Sequence, residues 1–207
     1  MWPFRKKAWK RIHGQIGYFD LEDWWFSTFT ESEREYIESV YHPFGDPNPR
    51  PLTEGDIIST TQTASGLLHG LATWFKRRDD RHIAHRLLTK AEAMAGSNVL
   101  DSHFTYQGMI QNYYPDRDVD PQALPNAIRA CEKQISLAPK TAKAFKQQYR
   151  GASIPQHVGF TQLAIVREKE RDYNEAMRLS RDAKNRVGLA IGTSASPVAN
   201  RSCANSD

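Results

Sequence analysis

Cysteine is almost missing from this 207-residue chain: Cys131 and Cys203 are the only two. They are too few and too far apart for a disulfide framework or a zinc module, both of which need several thiols or histidines at short spacing. Long apolar runs are missing too. No stretch approaches the roughly 18 residues of a membrane-spanning helix, so no transmembrane segment is expected. The basic opening MWPFRKKAWKRIHG is not followed by the continuous apolar stretch of a secretory signal. There is no Gly-rich phosphate loop, because GLLHG and GASIP lack its spacing. No Gly-x-Ser-x-Gly elbow offers a nucleophile for acyl transfer. Strand-period alternation is absent as well, which leaves an all-α chain as the expectation. With 39% hydrophobic residues, the composition is that of an ordinary globular, cytoplasmic protein.

What is present is charge, unevenly placed. The formal net charge is +4, from 28 Lys and Arg against 24 Asp and Glu. Residues 1–13 hold five bases and no acid; residues 20–56 hold ten acids against Arg34 and Arg50; residues 76–90 hold six bases and two acids; residues 129–150 hold six bases against Glu132. Either the acidic N-terminal region folds back onto the basic helices, or the bases form a patch for nucleic acid or acidic lipid. Lys and Arg at helical spacing also make a plain solvated face.

Four regions follow from the pattern. Residues 1–18 read as a basic arm carrying Trp2, Phe4 and Trp9. Residues 19–52 read as an acidic, aromatic extension: Asp20 is placed to cap a first short helix with Leu21, Trp24 and Trp25 on one face. Thr30 and Glu33 have the capping-box spacing for a second. Trp24, Trp25, Phe26 and Phe29 together are worth burying, so this extension is expected to pack on the helices behind it. Pro43, Pro47, Pro49 and Pro51 predict a stiff, extended connector. Residues 53–188 are helical in pattern, and 189–207 are small and polar and read as a disordered tail.

Within the helical region one unit repeats in kind. In residues 65–98, Leu68, Leu71, Ala72 and Phe75 share a face of one helix, and Ala84, Leu88 and Ala91 a face of the next, with a turn at Arg77–Asp80. In residues 157–190, Phe160, Leu163 and Ala164 take the first-helix places, Asp172 and Tyr173 the turn, and Ala176 and Ala183 the second-helix places. Between them lies a looser copy, opened by Phe104 and Gly108 and closed by Ala127, Cys131 and Pro139, with a long internal loop through Tyr114–Leu124 and an added helix at Thr141–Arg150.

This pattern resembles the tetratricopeptide repeat over about 125 residues, 65–190, as an irregular array of about three copies. The resemblance implies a right-handed superhelix of helical hairpins whose first helices line a concave groove for a protein or peptide. Carried over by position, the lining is His69, Thr73 and Lys76, then Thr105, Met109 and Asn112, then Thr161, Ile165 and Glu168. His69 and Thr73 stand where the chaperone-binding members have Lys and Asn, so capture of a peptide C-terminal carboxylate is not implied. The expectation is a non-enzymatic adaptor with no cofactor or metal and a polypeptide partner.

Other chemistry is less well supported by the residues. His82 and His85 are three apart on a helix, but no further ligands stand at metal-site spacing. Asp116, Asp118 and Asp120 imitate a calcium loop that would need Gly and Glu where Pro121 and Ala127 stand. Asp120 is better placed to cap a helix with Pro121 first in it. Arg77 with His82, and Arg78 with His85, match the loose Arg-to-His spacing of all-helical ribonucleases, in which such pairs supply acid–base chemistry. RNA binding or cleavage through the basic helix 76–90 is therefore the alternative. Cys131 sits at a core position and is expected to be inert.

Overall fold

The computed structural model describes residues 12–149 and 157–190. The first eleven residues of the basic arm, the end of the added helix at Arg150 and the tail beyond Ala190 lie outside the described residues. Every regular element among those described is helical, and none is long and apolar enough to cross a membrane. The chain divides into two compact units, residues 1–130 and 131–207.

The first unit opens with α1 (Gly14–Tyr18), α2 (Glu22–Thr28) and α3 (Glu31–Val40). The capping box at α3 forms as its spacing predicts: the Thr30 hydroxyl accepts from the Glu33 amide at 3.3 Å, and the Glu33 carboxylate accepts from the Thr30 amide at 2.8 Å. Asp20 does not cap α2. It adopts the left-handed conformation (φ 53°) just after α1, and Leu21 takes the cap position without a side-chain bond. An aspartate tolerates that conformation better than most residues, so it serves to end one helix and not to start the next. Leu21, Trp25, Phe29, Ile37 and Tyr41 are all buried.

The proline-rich connector is not a free, extended spacer. Residues 51–55 turn back on α1, and three carbonyls accept the otherwise unpaired amides of its first turn: Gly55 from Gly14 (2.7 Å), Pro51 from Gln15 (3.0 Å) and Leu52 from Ile16 (2.8 Å). Proline removes a donor but keeps its acceptor. Gly14 has φ +62°, and a Cβ there would stand 2.7 Å from the Pro51 oxygen, so only glycine fits. Part of the expected arm, residues 14–18, is thus an ordered helix with Ile16 fully buried.

The first hairpin is α4 (Ala64–Ala72) and α5 (Arg81–Met94), followed by α6 (Val99–Tyr113). Thr63 caps α4 by accepting from the Gly66 amide, and Asn98 caps α6 by accepting from the Leu100 and Asp101 amides. Leu68, Leu71, Phe75, Leu87 and Leu88 are fully buried, each worth about 1.5–3 kcal/mol. Gly108 brings α6 against α5: a Cβ there would meet Leu88 Cδ2 at 2.8 Å. The long loop contains a short 3₁₀ turn at Tyr114–Asp116, and α7 (Ala123–Gln148) follows. The Asp120 carboxylate accepts from the Gln122 amide, but the helix begins at Ala123, later than the Asp120–Pro121 pair predicts. Pro125 then falls in the first turn, where a missing amide costs nothing.

The second unit contains the later part of α7, then α8 (Val158–Lys169) and α9 (Tyr173–Ala190). Pro139 does not close the repeat. The helix runs through it and takes in the residues expected to form a separate helix from Thr141. A proline in a helix interior costs about 3 kcal/mol; burial of the apolar Ala138 and Phe145 on either side of it works against that cost. Gly159 allows α8 to approach α7, its amide donating to the Gln134 side chain at 2.7 Å.

Candidate functional site

The acidic extension does fold back on the basic helix. Arg86 of α5 donates to the Thr28 carbonyl at 2.9 Å, pairs with Glu33 and lies 4.6 Å over the Phe29 ring. The Arg86 hydrogen bond, with those from Thr30, holds the Glu33 carboxyl far below its ordinary range, at about 2. Arg81 pairs with Asp116, and the Lys90 ammonium stands 5.8 Å from the Trp24 ring. Tyr36 lies tilted against Phe75, 6.1 Å between rings, and donates to Asp80 at 3.1 Å; Tyr41 meets Trp74 edge-on at 5.6 Å. Arg81, Arg86 and Lys90 of the basic run 76–90 are therefore engaged within the fold.

The same packing gathers Glu33, Tyr36, Arg77, Asp79, Asp80 and His82 around a cleft of about 470 Å³. Arg77 and His82 do share one site, as the ribonuclease-like spacing requires. Three carboxylates share it with them, which makes it a poor seat for a phosphodiester. His85 is elsewhere, stacked on Tyr113 at 4.1 Å, and burial pushes its pKa down. Among the described residues, no group of three or more His, Cys, Asp or Glu is arranged to hold a metal ion.

The nine residues expected to line the groove fall into three environments. On α4 and just beyond it, Thr73 and Lys76 are exposed, while His69 is half-buried against Phe104, 5.7 Å between rings. On α6, Thr105, Met109 and Asn112 are buried, and Asn112 turns its amide back to the Gly108 carbonyl at 2.9 Å. They offer no surface to a ligand. The physical reason is that α6 buries Leu100, His103, Thr105, Met109, Ile110 and Asn112, which lie around most of its circumference, so it is a core helix and not a groove wall. On α8, Thr161 and Ile165 are exposed and line a groove shared with α9.

That groove is open and has a volume of about 820 Å³. Its floor is Phe160, Ala164 and Ala176, and its walls include Ile165, Tyr173 and Met177, the last three exposed by 39%, 58% and 57%. Glu168 stands at one end and Arg181 and Lys184 at the other. Cys131 is buried, and desolvation pushes its thiol up to about 12, far from the thiolate a nucleophile needs.

Comparison with protein-family models, curated proteins and solved structures finds no match to this chain.

What the surface can do therefore follows from its own residues. Tyr173, Met177, Arg181 and Lys184 are the groove residues that sequence reasoning missed, because the repeat resemblance assigns binding to first helices alone. Their signal was present: they recur at four, eight and eleven positions along α9, a second stripe beside the buried one that carries Leu179.

Proposed function

We propose that this chain is a non-enzymatic adaptor that binds polypeptide, built from irregular tetratricopeptide-like hairpins. The α8–α9 groove carries the reading: it joins three of the expected lining residues, Thr161, Ile165 and Glu168, to exposed Tyr173 and Met177 in one concavity. Exposed aromatic and methionine side chains around a channel with charged ends suit an amphipathic partner segment. The packing positions of the repeat frame support the hairpin assignment, since Leu68, Leu71, Ala72, Phe75, Ala84, Leu88, Ala91, Phe160 and Leu163 are all buried. The second surface is the exposed end of the first hairpin, Thr73 and Lys76.

RNA recognition through residues 76–90 is the weaker reading. Arg81 and Arg86 are held by acids, Lys90 lies against Trp24, and the cleft beside Arg77 is lined by carboxylates. A photocrosslinking residue at position 165, activated in the native cell, tests the proposal. The expected product is a covalent adduct with a polypeptide, lost when Met177→Glu is added. Adducts with RNA, or none at 165 or at 73, overturn it.

A further inference from the structure

The groove on α8–α9 has a counterpart in the same chain, and the counterpart is covered. In the first hairpin the small residues of the repeat frame, Ala72, Ala84 and Ala91, are buried to within 1% of complete, and α6 packs on both α4 and α5 with Gly108 against Leu88. In the third hairpin the matching Ala164, Ala176 and Ala183 are only half-buried, and all three line the groove. A hairpin face of this make takes a helical layer. Its small residues let helix axes approach closely, and its larger ones interdigitate.

The charges say which layer. Glu168 lies in the last turn of α8, next to the turn at 170–172. Arg181 and Lys184 lie well along α9; Lys184 is eleven residues past Tyr173, about 16 Å along the axis. Acid therefore marks the turn end of the groove and base the open end, with Ala164, Ile165, Ala176 and Met177 between them. Other charges nearby are paired: Arg178 is held by Glu175 and Asp182 at 2.6 and 2.9 Å, and Arg167 by Glu170 at 2.7 Å. Glu168, Arg181 and Lys184 have no ion-pair partner among the described residues.

A surface with acid at one end, base at the other and an apolar middle is complementary to its own image under a two-fold rotation about its centre. That is the condition for an isologous dimer. We infer that the α8–α9 groove is occupied by the same face of a second copy of this chain, with Glu168 of each copy against Arg181 and Lys184 of the other and Met177 and Ile165 buried between them. The inference rests on the adaptor reading of this groove and names its occupant. The patch is small, twelve described residues against the roughly 20–30 a side of a standard stable interface. The dimer is accordingly weak and reversible, with a dissociation constant in the micromolar range.

Sedimentation velocity on the full chain from about 1 to about 200 μM tests this, with the range set by that small interface. The expected result is a monomer–dimer equilibrium. Met177→Glu should weaken it at least about tenfold and leave the helical circular dichroism unchanged, because Met177 is a surface residue. Glu168→Arg alone and Arg181→Glu with Lys184→Glu should each weaken it, and the three together should restore it. A chain that stays monomeric throughout the range overturns the inference. So does a dimer indifferent to these substitutions, or one weakened by both charge changes and not rescued by their combination. A monomeric chain whose position 165 still crosslinks to a different polypeptide removes the second copy and leaves the adaptor reading standing. A monomeric chain with no adduct removes both.

Discussion

The first and third hairpins share a residue frame and differ in what lies on it. Around α4 and α5, the extension α2–α3 covers one side and α6 another, and the residues at frame positions are sealed. Around α8 and α9 the frame positions facing the groove stay open. Burial at a repeat position is therefore set by what comes next to the hairpin and not by the residue itself. An alanine is a core residue in one copy and a half-buried groove residue in the other.

The difference can be broken most severely with aromatics. Phe75→Ala should cost about 3–5 kcal/mol, because Phe75 is fully buried under Tyr36. Tyr173→Ala, at a largely exposed site, should stay within about 0.5 kcal/mol. Equal losses in urea unfolding would mean that the third hairpin is covered after all. Overpacking is the next test in size. Ala84→Leu should destabilise by about 1–3 kcal/mol, whereas Ala176→Leu should be nearly neutral to folding while altering whatever the groove binds.

A smaller effect sharpens the account of the sealed side. Arg86→Lys loses the forked contact with Glu33 and the Thr28 carbonyl, for about 1 kcal/mol at this partly exposed site. The pH dependence has a defined sign. Glu33 is held at about 2 in the folded chain against an ordinary value of 4.5. Its pairing therefore stabilises fully above pH 4.5 and fades as pH falls toward 2. The stability gap between the parent chain and Glu33→Gln should be constant at neutral pH and close across that window. The smallest expected signal is chemical. In a Cys203→Ser chain, Cys131 should resist alkylation at pH 8 until the chain is denatured, since its thiol ionises only near 12.

Much of the first unit was readable because two independent signals agreed there. The spacing of Leu68, Leu71, Ala72 and Phe75 marks one face, and the charged Arg77–Asp80 turn interrupts it at the length of a helical hairpin. The Thr30–Glu33 pair is equally local, and its bonds form within four residues. What was not readable depends on distant partners. The connector was taken for a spacer because prolines advertise lost donors and not the carbonyls they retain. Pro139 reads as a stop because its cost is local while the burial of Ala138 and Phe145 is not. Thr105, Met109 and Asn112 were assigned to a surface because α6 mixes polar residues into every face, so its sequence alone does not show that it is enclosed. The α9 side of the groove lies outside the expected lining because the repeat resemblance places that lining on first helices, while Tyr173, Met177, Arg181 and Lys184 stand on a second helix.

The docking of α1 has a bearing on how this protein is made. Gly14, Gln15 and Ile16 give their amides to Gly55, Pro51 and Leu52, so the first helix is finished only by residues about forty positions later. At elongation rates of about 5–20 residues per second, the amino-terminal segment waits roughly 2–8 seconds after synthesis before its acceptors exist. Throughout that interval Ile16 has no native site to enter.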